Sequence, residues 1–141
     1  MKVNDVMTAQ VVTASPTTPI AEVARIMAKI ESGAVPVTDG GKVVGLVTDR
    51  DIVIRGVAES MSLDGAVSQV MTEGVETCSE DDNVADAAAK MGVHQIRRLV
   101  VLNAQGGLAG ILSLGDIASD YGAKSVGKTL EEISENSPAA H

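Results

Sequence analysis

The sequence predicts a mixed α/β (α+β) protein made of two β-α-β-β-α repeats that pack into one body. Three observations predict it. The first is an internal duplication. Val3-Asn4-Asp5-Val6-Met7-Thr8 returns as Val67-Ser68-Gln69-Val70-Met71-Thr72, and the offset persists through Thr13-Ala14-Ser15 and Thr77-Cys78-Ser79, Ile20 and Val84, and Met27 and Met91. After one extra residue, Gly45 to Ile52 faces Gly110 to Ile117. The second observation is the order of hydrophobic periods, which is the same in both halves. The third is composition: 45% of the 141 residues are apolar, yet there is no Trp or Phe and Tyr121 is the single Tyr. Such a core must be aliphatic. The repeat is longer than those of common solenoids. Two half-sized domains are too small to be comfortable alone, and packing together buries their apolar faces.

The elements follow in order. A short helix is expected around Asp5-Val6-Met7, with an equivalent at Gln69-Val70-Met71. Thr18-Pro19 precedes Ile20, Val23, Ala24, Met27 and Ile30, which is helical spacing behind a capping residue and a proline. That helix should end near Ser32-Gly33. Val35-Pro36-Val37 reads as a strand, Asp39-Gly40-Gly41 as a turn and Val43 to Val47 as a second strand. Arg50 to Val57 reads as a helix with Ile52, Val53, Ile54 and Val57 on its apolar side. In the second half, Asp82 or Asn83 caps a helix carrying Val84, Ala87, Ala88 and Met91. Leu99 to Leu102 and Leu108 to Leu112 are strands around a turn at Ala104-Gln105-Gly106-Gly107, and a helix starts at Asp116. The expected domains are therefore 1–57 and 67–122, joined by a 58–66 linker and followed by a 123–141 tail. Within the tail, Val126, Leu130 and Ile133 could line a short helix.

Charge and composition exclude several classes. The formal net charge is −8 with no basic stripe, a poor match to polyanionic DNA or RNA and to anionic membrane surfaces. No apolar run approaches the ~18–20 residues that span a bilayer. The first residues lack a basic-then-apolar signal segment. Cys78 is alone, so it forms no intramolecular disulfide and no cysteine metal cluster. A cytoplasmic protein is the expectation.

The Val-x-x-Val-Met-Thr openings, the β-α-β-β-α order and the closing Gly45-Leu46-Val47-Thr48-x-x-Asp51 and Gly110-Ile111-Leu112-Ser113-x-x-Asp116 stretches resemble the cystathionine-β-synthase-type domain, or CBS domain. Two in tandem resemble a Bateman module, over residues 3–122. The stretch Leu46 to Gly56 is also similar to that of stand-alone bacterial pairs. The resemblance implies a pseudo-twofold module with two clefts, assembly as dimers, and regulatory binding of adenosine-containing ligands: AMP, ADP, ATP or S-adenosylmethionine. No required cofactor and no metal are implied.

Each candidate binding residue has a plainer structural reading beside it. Thr48 with Asp51, and Ser113 with Asp116, are capping boxes. A helix entrance also attracts phosphate, and a carboxylate one turn in can accept both ribose hydroxyls; the resemblance puts those roles on these four residues. Thr13 and Thr77 are turn hydroxyls on one reading; the resemblance puts this region beside an adenine. Val35, Pro36, Leu99 and Val100 are core residues or aliphatic walls for that base. Arg97-Arg98 is the only adjacent basic pair, with His94 nearby, and is either a solvated surface pair, or ion-paired with Glu and Asp, or a phosphate clamp. Ala34 stands where Arg98 does, and Gly115 stands where the other phosphate candidate, Arg50, does, so the two sites should differ. Glu80-Asp81-Asp82 reads as dipole and cap partners rather than a metal site, and Cys78 as a small buried residue matching Ala14.

Nothing in the sequence carries catalysis. His94 and His141 are the only histidines, and neither stands in a nucleophile–base pattern. No Walker or Rossmann glycine motif occurs. Two functions remain: a ligand sensor that acts on a partner protein, or an interaction and assembly module that keeps the fold without a ligand.

Overall fold

The computed structural model describes residues 1–9 and 12–120. The tail expected to carry Val126, Leu130 and Ile133, the end of the second domain at 121–122 and the tail His141 lie outside the described residues. The chain folds into two compact units, and these are cut differently from the sequence repeats. One is Val11–Val75; the other joins Met1–Gln10 to the chain from Glu76 onward.

In the first unit, helix α2 spans Ile20–Ile30 and buries Ile20, Val23 and Met27 on one face. Its first two N–H groups have no partner inside the helix. Linker carbonyls supply them: Ile20 N–H donates to Gly65 O and Ala21 N–H to Leu63 O, each at 2.9 Å. Pro19 takes the N-cap position. Thr18, expected as the cap, instead accepts from Ser15 N–H at 3.0 Å. The helix stops at Glu31, whose φ of 53° is left-handed. Strands β2 (Ala34–Asp39) and β3 (Lys42–Thr48) form an antiparallel hairpin. Gly40 and Gly41 make its turn at positive φ. Helix α3 covers Asp49–Asp51 and runs into wider π-type turns over Ile52–Val57. Only Ile52 of its apolar residues turns inward. Val53, Ile54 and Val57 are 56%, 48% and 58% exposed, so the expected apolar side faces outward.

The second unit holds a four-stranded sheet in the order β1-β6-β5-β4: Thr8–Ala9, Leu108–Ser113, Arg98–Leu102 and Thr77–Ser79. Strand β4 runs parallel to β5, and the other pairs are antiparallel. Helix α4 (Val84–His94) lays Val84, Ala87, Ala88 and Met91 on this sheet. Helix α5 begins at Leu114.

The two leading segments are exchanged. Helix α1 (Val3–Val6) belongs by sequence to the first repeat, but Val3 and Val6 pack with Val84, Met91, Leu99, Leu112 and Ile117. Its counterpart, a 3₁₀ turn at Val67–Gln69, places Val67, Val70 and Met71 against Ile20, Val23, Val35 and Val47. Backbone pairing repeats the exchange: Thr8 pairs with Ile111, and Thr72 with Leu46.

Candidate functional site

The same construction recurs in each unit where a strand meets the next helix. Strand β3 ends at Thr48, opposite Ala34 at the start of β2. Thr48 N–H donates to Asp51 Oδ2 at 2.9 Å, and Asp51 N–H donates to Thr48 Oγ1 at 3.2 Å. Strand β6 ends at Ser113, opposite Arg98 at the start of β5. Ser113 N–H donates to Asp116 Oδ2 and Asp116 N–H to Ser113 Oγ, both at 3.0 Å. Both capping boxes are therefore closed. All four residues are half-buried.

The rest of the two entrances differs. At the first, Asp49 N–H donates to Gly33 O and Arg50 N–H donates to Asp49 Oδ1, each at 2.9 Å. The Asp49 carboxylate lies over Gly33: a Cβ there would stand 2.8 Å from Oδ2. At the second, Leu114 N–H donates to Arg97 O at 2.9 Å, but Leu114 brings no carboxylate and its side chain is buried. The first entrance thus carries the oppositely charged Asp49 and Arg50 where the second has Leu114 and Gly115, and the second carries the basic pair Arg97-Arg98. The sequence reading singled out Arg50 and Arg98 as the difference. It missed Asp49, because the approach to Gly33 exists only after the hairpin folds.

The other candidates gather near these entrances within their own units. Thr13 is exposed and precedes Ala14, whose N–H donates to Pro36 O at 3.0 Å. Thr77 pairs with Val100. Val35 and Leu99 have no exposed surface and sit in the two aliphatic cores, the packing role that stood beside ligand contact in the sequence reading. Pro36 and Val100 are buried on the opposite faces of their strands. Arg98 is half-buried and Arg97 exposed.

A charged cluster flanks Thr77. Glu76 lies 3.8 Å from Lys90 Nζ and 3.5 Å from His94 Nδ1, and Lys90 Nζ donates to the Thr77 carbonyl. The first repeat has Val12, Ile26 and Ile30 at the corresponding positions. Cys78 is buried beside this cluster. Burial, and then the Asp82 carboxylate, push its thiol from 9.0 up to about 11, with Lys90 opposing. A thiol that stays protonated is no nucleophile at neutral pH. Among the described residues no group of three or more metal-ligating side chains occurs, and no helix is long and apolar enough to cross a membrane.

The CBS domain family model matches residues 3–57 and again 67–122. The chain belongs to the CBS domain family. It is 39% identical over 133 residues to the CBS domain-containing protein YhcV of Bacillus subtilis, covering 94% of each chain. Among solved structures it is similar to a CBS domain protein of Pyrobaculum aerophilum complexed with AMP. That match has 30% identity and a TM-score of 0.78, and covers 92% of this chain and 98% of that one. It is also similar to the CBS domain pair of protein MJ0100 in complex with 5′-methylthioadenosine and S-adenosyl-L-methionine. There the identity is 30% and the TM-score 0.78, with 88% and 98% covered. The exchange of leading segments gives the family matches a physical reading: each matched stretch supplies the hairpin and helices of one unit and the leading segment of the other.

Proposed function

We propose that this CBS pair is a regulatory module that binds an adenosine-containing ligand and changes the affinity of a partner protein. One observation carries the reading: both repeats close a hydroxyl–carboxylate box at a strand-to-helix entrance. CBS pairs similar to this one hold AMP, 5′-methylthioadenosine or S-adenosylmethionine, and CBS pairs are generally regulatory rather than catalytic. Asp51 and Asp116 would release their caps to accept ribose hydroxyls, and Thr48 and Ser113 would bond phosphate. Arg97 and Arg98 would clamp phosphate at the second entrance, as Arg50 would at the first. Thr13 and Thr77 would flank the base, against walls that include Pro36.

The basic pair Arg97-Arg98, set against the mutually offsetting Asp49 and Arg50, favours the second entrance for phosphate-bearing ligands, AMP, ADP or ATP. A ligand shifts a partner only through its difference in affinity between two states of the module. The proposed assembly is a homodimer through the exposed Val53, Ile54 and Val57, since apolar side chains grouped on one exposed turn are suited to burial against a second copy. The proposed location is the cytoplasm, where a free thiol such as Cys78 stays reduced.

Titration calorimetry with AMP, ADP, ATP and S-adenosylmethionine tests the reading. At least one should give heat, and Asp116→Ala should weaken a phosphate-bearing ligand by about 10-fold or more, the loss of hydrogen bonds to a charged group. Unchanged affinity in both Asp51→Ala and Asp116→Ala would sink the ribose assignment. No heat with any ligand would leave the second reading, an assembly module without a ligand. One observation favours that alternative: at the first entrance the N–H groups of Asp49, Arg50 and Asp51 are all already bonded within the chain.

A further inference from the structure

Thr13 and Thr77 stand at matched places in the two repeats, but the carbonyls around them are used differently. In the second unit, Val100 N–H donates to Glu76 O at 3.3 Å. Strand β4 is the edge of its sheet, so the next carbonyl, Thr77 O, is left open by the ladder. Lys90 closes it: Nζ reaches from α4 and donates to Thr77 O. Glu76 holds that ammonium at 3.8 Å and lies 3.5 Å from His94 Nδ1. Both carbonyls at this end of the second unit therefore have donors.

In the first unit the matching carbonyls are Val12 O and Thr13 O. Ala14 pairs with Val37, which sets Pro36 where the second unit has Val100. Pro36 carries no N–H, so Val12 O has no donor across the ladder. Ile26 stands where the second repeat has Lys90, so no ammonium reaches Thr13 O. Among the described residues no donor bonds to either carbonyl. The register then relates each pair to its entrance. Thr77 lies opposite Val100, two residues along β5 from Arg98, which faces Ser113. Thr13 lies opposite Pro36, two residues along β2 from Ala34, which faces Thr48. Ordinary strand spacings put each about 12 Å from the entrance hydroxyl, a span that one nucleotide bridges from base to phosphate.

Resting on the nucleotide reading above, we propose that Lys90 sets the base selectivity of the second entrance, so that the two entrances recognise different ends of their ligand. The exocyclic amine of adenine is a donor and needs an acceptor. Val12 O and Thr13 O supply acceptors at the first entrance. At the second the amine meets the Lys90 ammonium, which has donors only, and donor faces donor. A purine with oxygen in place of that amine behaves in reverse. Its oxygen matches the ammonium and is repelled by the open carbonyls of Val12 and Thr13. The first entrance selects an amino-purine by its base, as a site built to hydrogen-bond one group rejects the analogue lacking it. The second holds its nucleotide through the basic pair and takes an oxo-purine at least as well.

Amide shifts of the intact ¹⁵N-labelled chain test this, because they read the entrances separately: Thr13 and Ala14 for the first, Thr77 and Cys78 for the second. Titrations with AMP and with inosine monophosphate give an affinity ratio at each. AMP should be preferred about fivefold or more at the first entrance, and inosine monophosphate should bind at least equally well at the second. Lys90→Met keeps the aliphatic stem and removes the ammonium. It should create a preference for AMP at the second entrance and leave the first unchanged. Lys90→Arg keeps the donors and should leave both ratios where they were. A second entrance that prefers AMP as strongly as the first while Lys90 is in place would overturn the proposal even though nucleotides bind. So would a ratio there that Lys90→Met does not move, or a second entrance that takes neither nucleotide. If neither nucleotide moves either set of amides, the nucleotide reading falls and this inference falls with it.

Discussion

A Cβ on Gly110 would meet the Thr8 carbonyl at 2.5 Å and Met7 Sδ at 3.1 Å, while one on Gly106 would meet nothing within 4 Å. The two glycines answer to different physics. Gly106 is needed for its φ of 80°, so Gly106→Ala should cost about 1 kcal/mol. Gly110→Ala must push a backbone carbonyl aside and should cost about 2 kcal/mol or more, read as the larger drop in denaturant midpoint at unchanged slope. Cys78 gives a second residue-scale prediction. Its thiol is raised from 9.0 to about 11 in the folded chain. A raised value means the folded state holds the proton more tightly, so this stability is complete below pH 9 and is lost as pH rises toward 11. The loss should reach about 1 kcal/mol by pH 10. Cys78→Ala, the residue found at Ala14, should flatten that slope in urea melts at pH 8 and pH 10.

At the scale of elements, the two closed capping boxes make a matched pair. Thr48→Ala and Ser113→Ala each remove a side-chain acceptor for a first-turn N–H, and each should cost about 1 kcal/mol in thermal melts. The two sites lie in different compact units and share no hydrogen-bond partner, so the double variant should lose the sum of the two. These boxes were legible because their pattern is local: a hydroxyl, two residues, then a carboxylate. The element order was legible for the same reason, and so were the glycine turns. Thr18 was not, because a hydroxyl before Pro19 can serve either the helix or the preceding turn, and here the turn at Ser15 takes it. The outward exposure of Val53, Ile54 and Val57 was not legible, because helical periodicity names an apolar side without saying what covers it. Asp49 needed the folded hairpin to bring Gly33 beneath it.

For the whole molecule, the informative result is that a repeat in sequence is not a unit in space. Hydrophobic period identifies Val3, Val6, Val67 and Val70 as buried, but it does not say in which core, because both leading segments carry the same pattern. The choice rests on chain connectivity and on long-range pairing that no local window contains. It makes a crosswise prediction. Val3 and Val67 are both fully buried, and truncating either to Ala should cost about 2 kcal/mol in lost burial and cavity. Val3→Ala lies in the first sequence repeat, yet it should lower amide protection in β5 and β6 and spare β2 and β3. Val67→Ala lies in the second repeat and should do the reverse. Hydrogen exchange followed strand by strand reads both at once. If each substitution instead loosened the strands of its own sequence repeat, the leading segments would have to seat in the repeats that encode them. The pairings of Thr8 with Ile111 and Thr72 with Leu46 would then be wrong together.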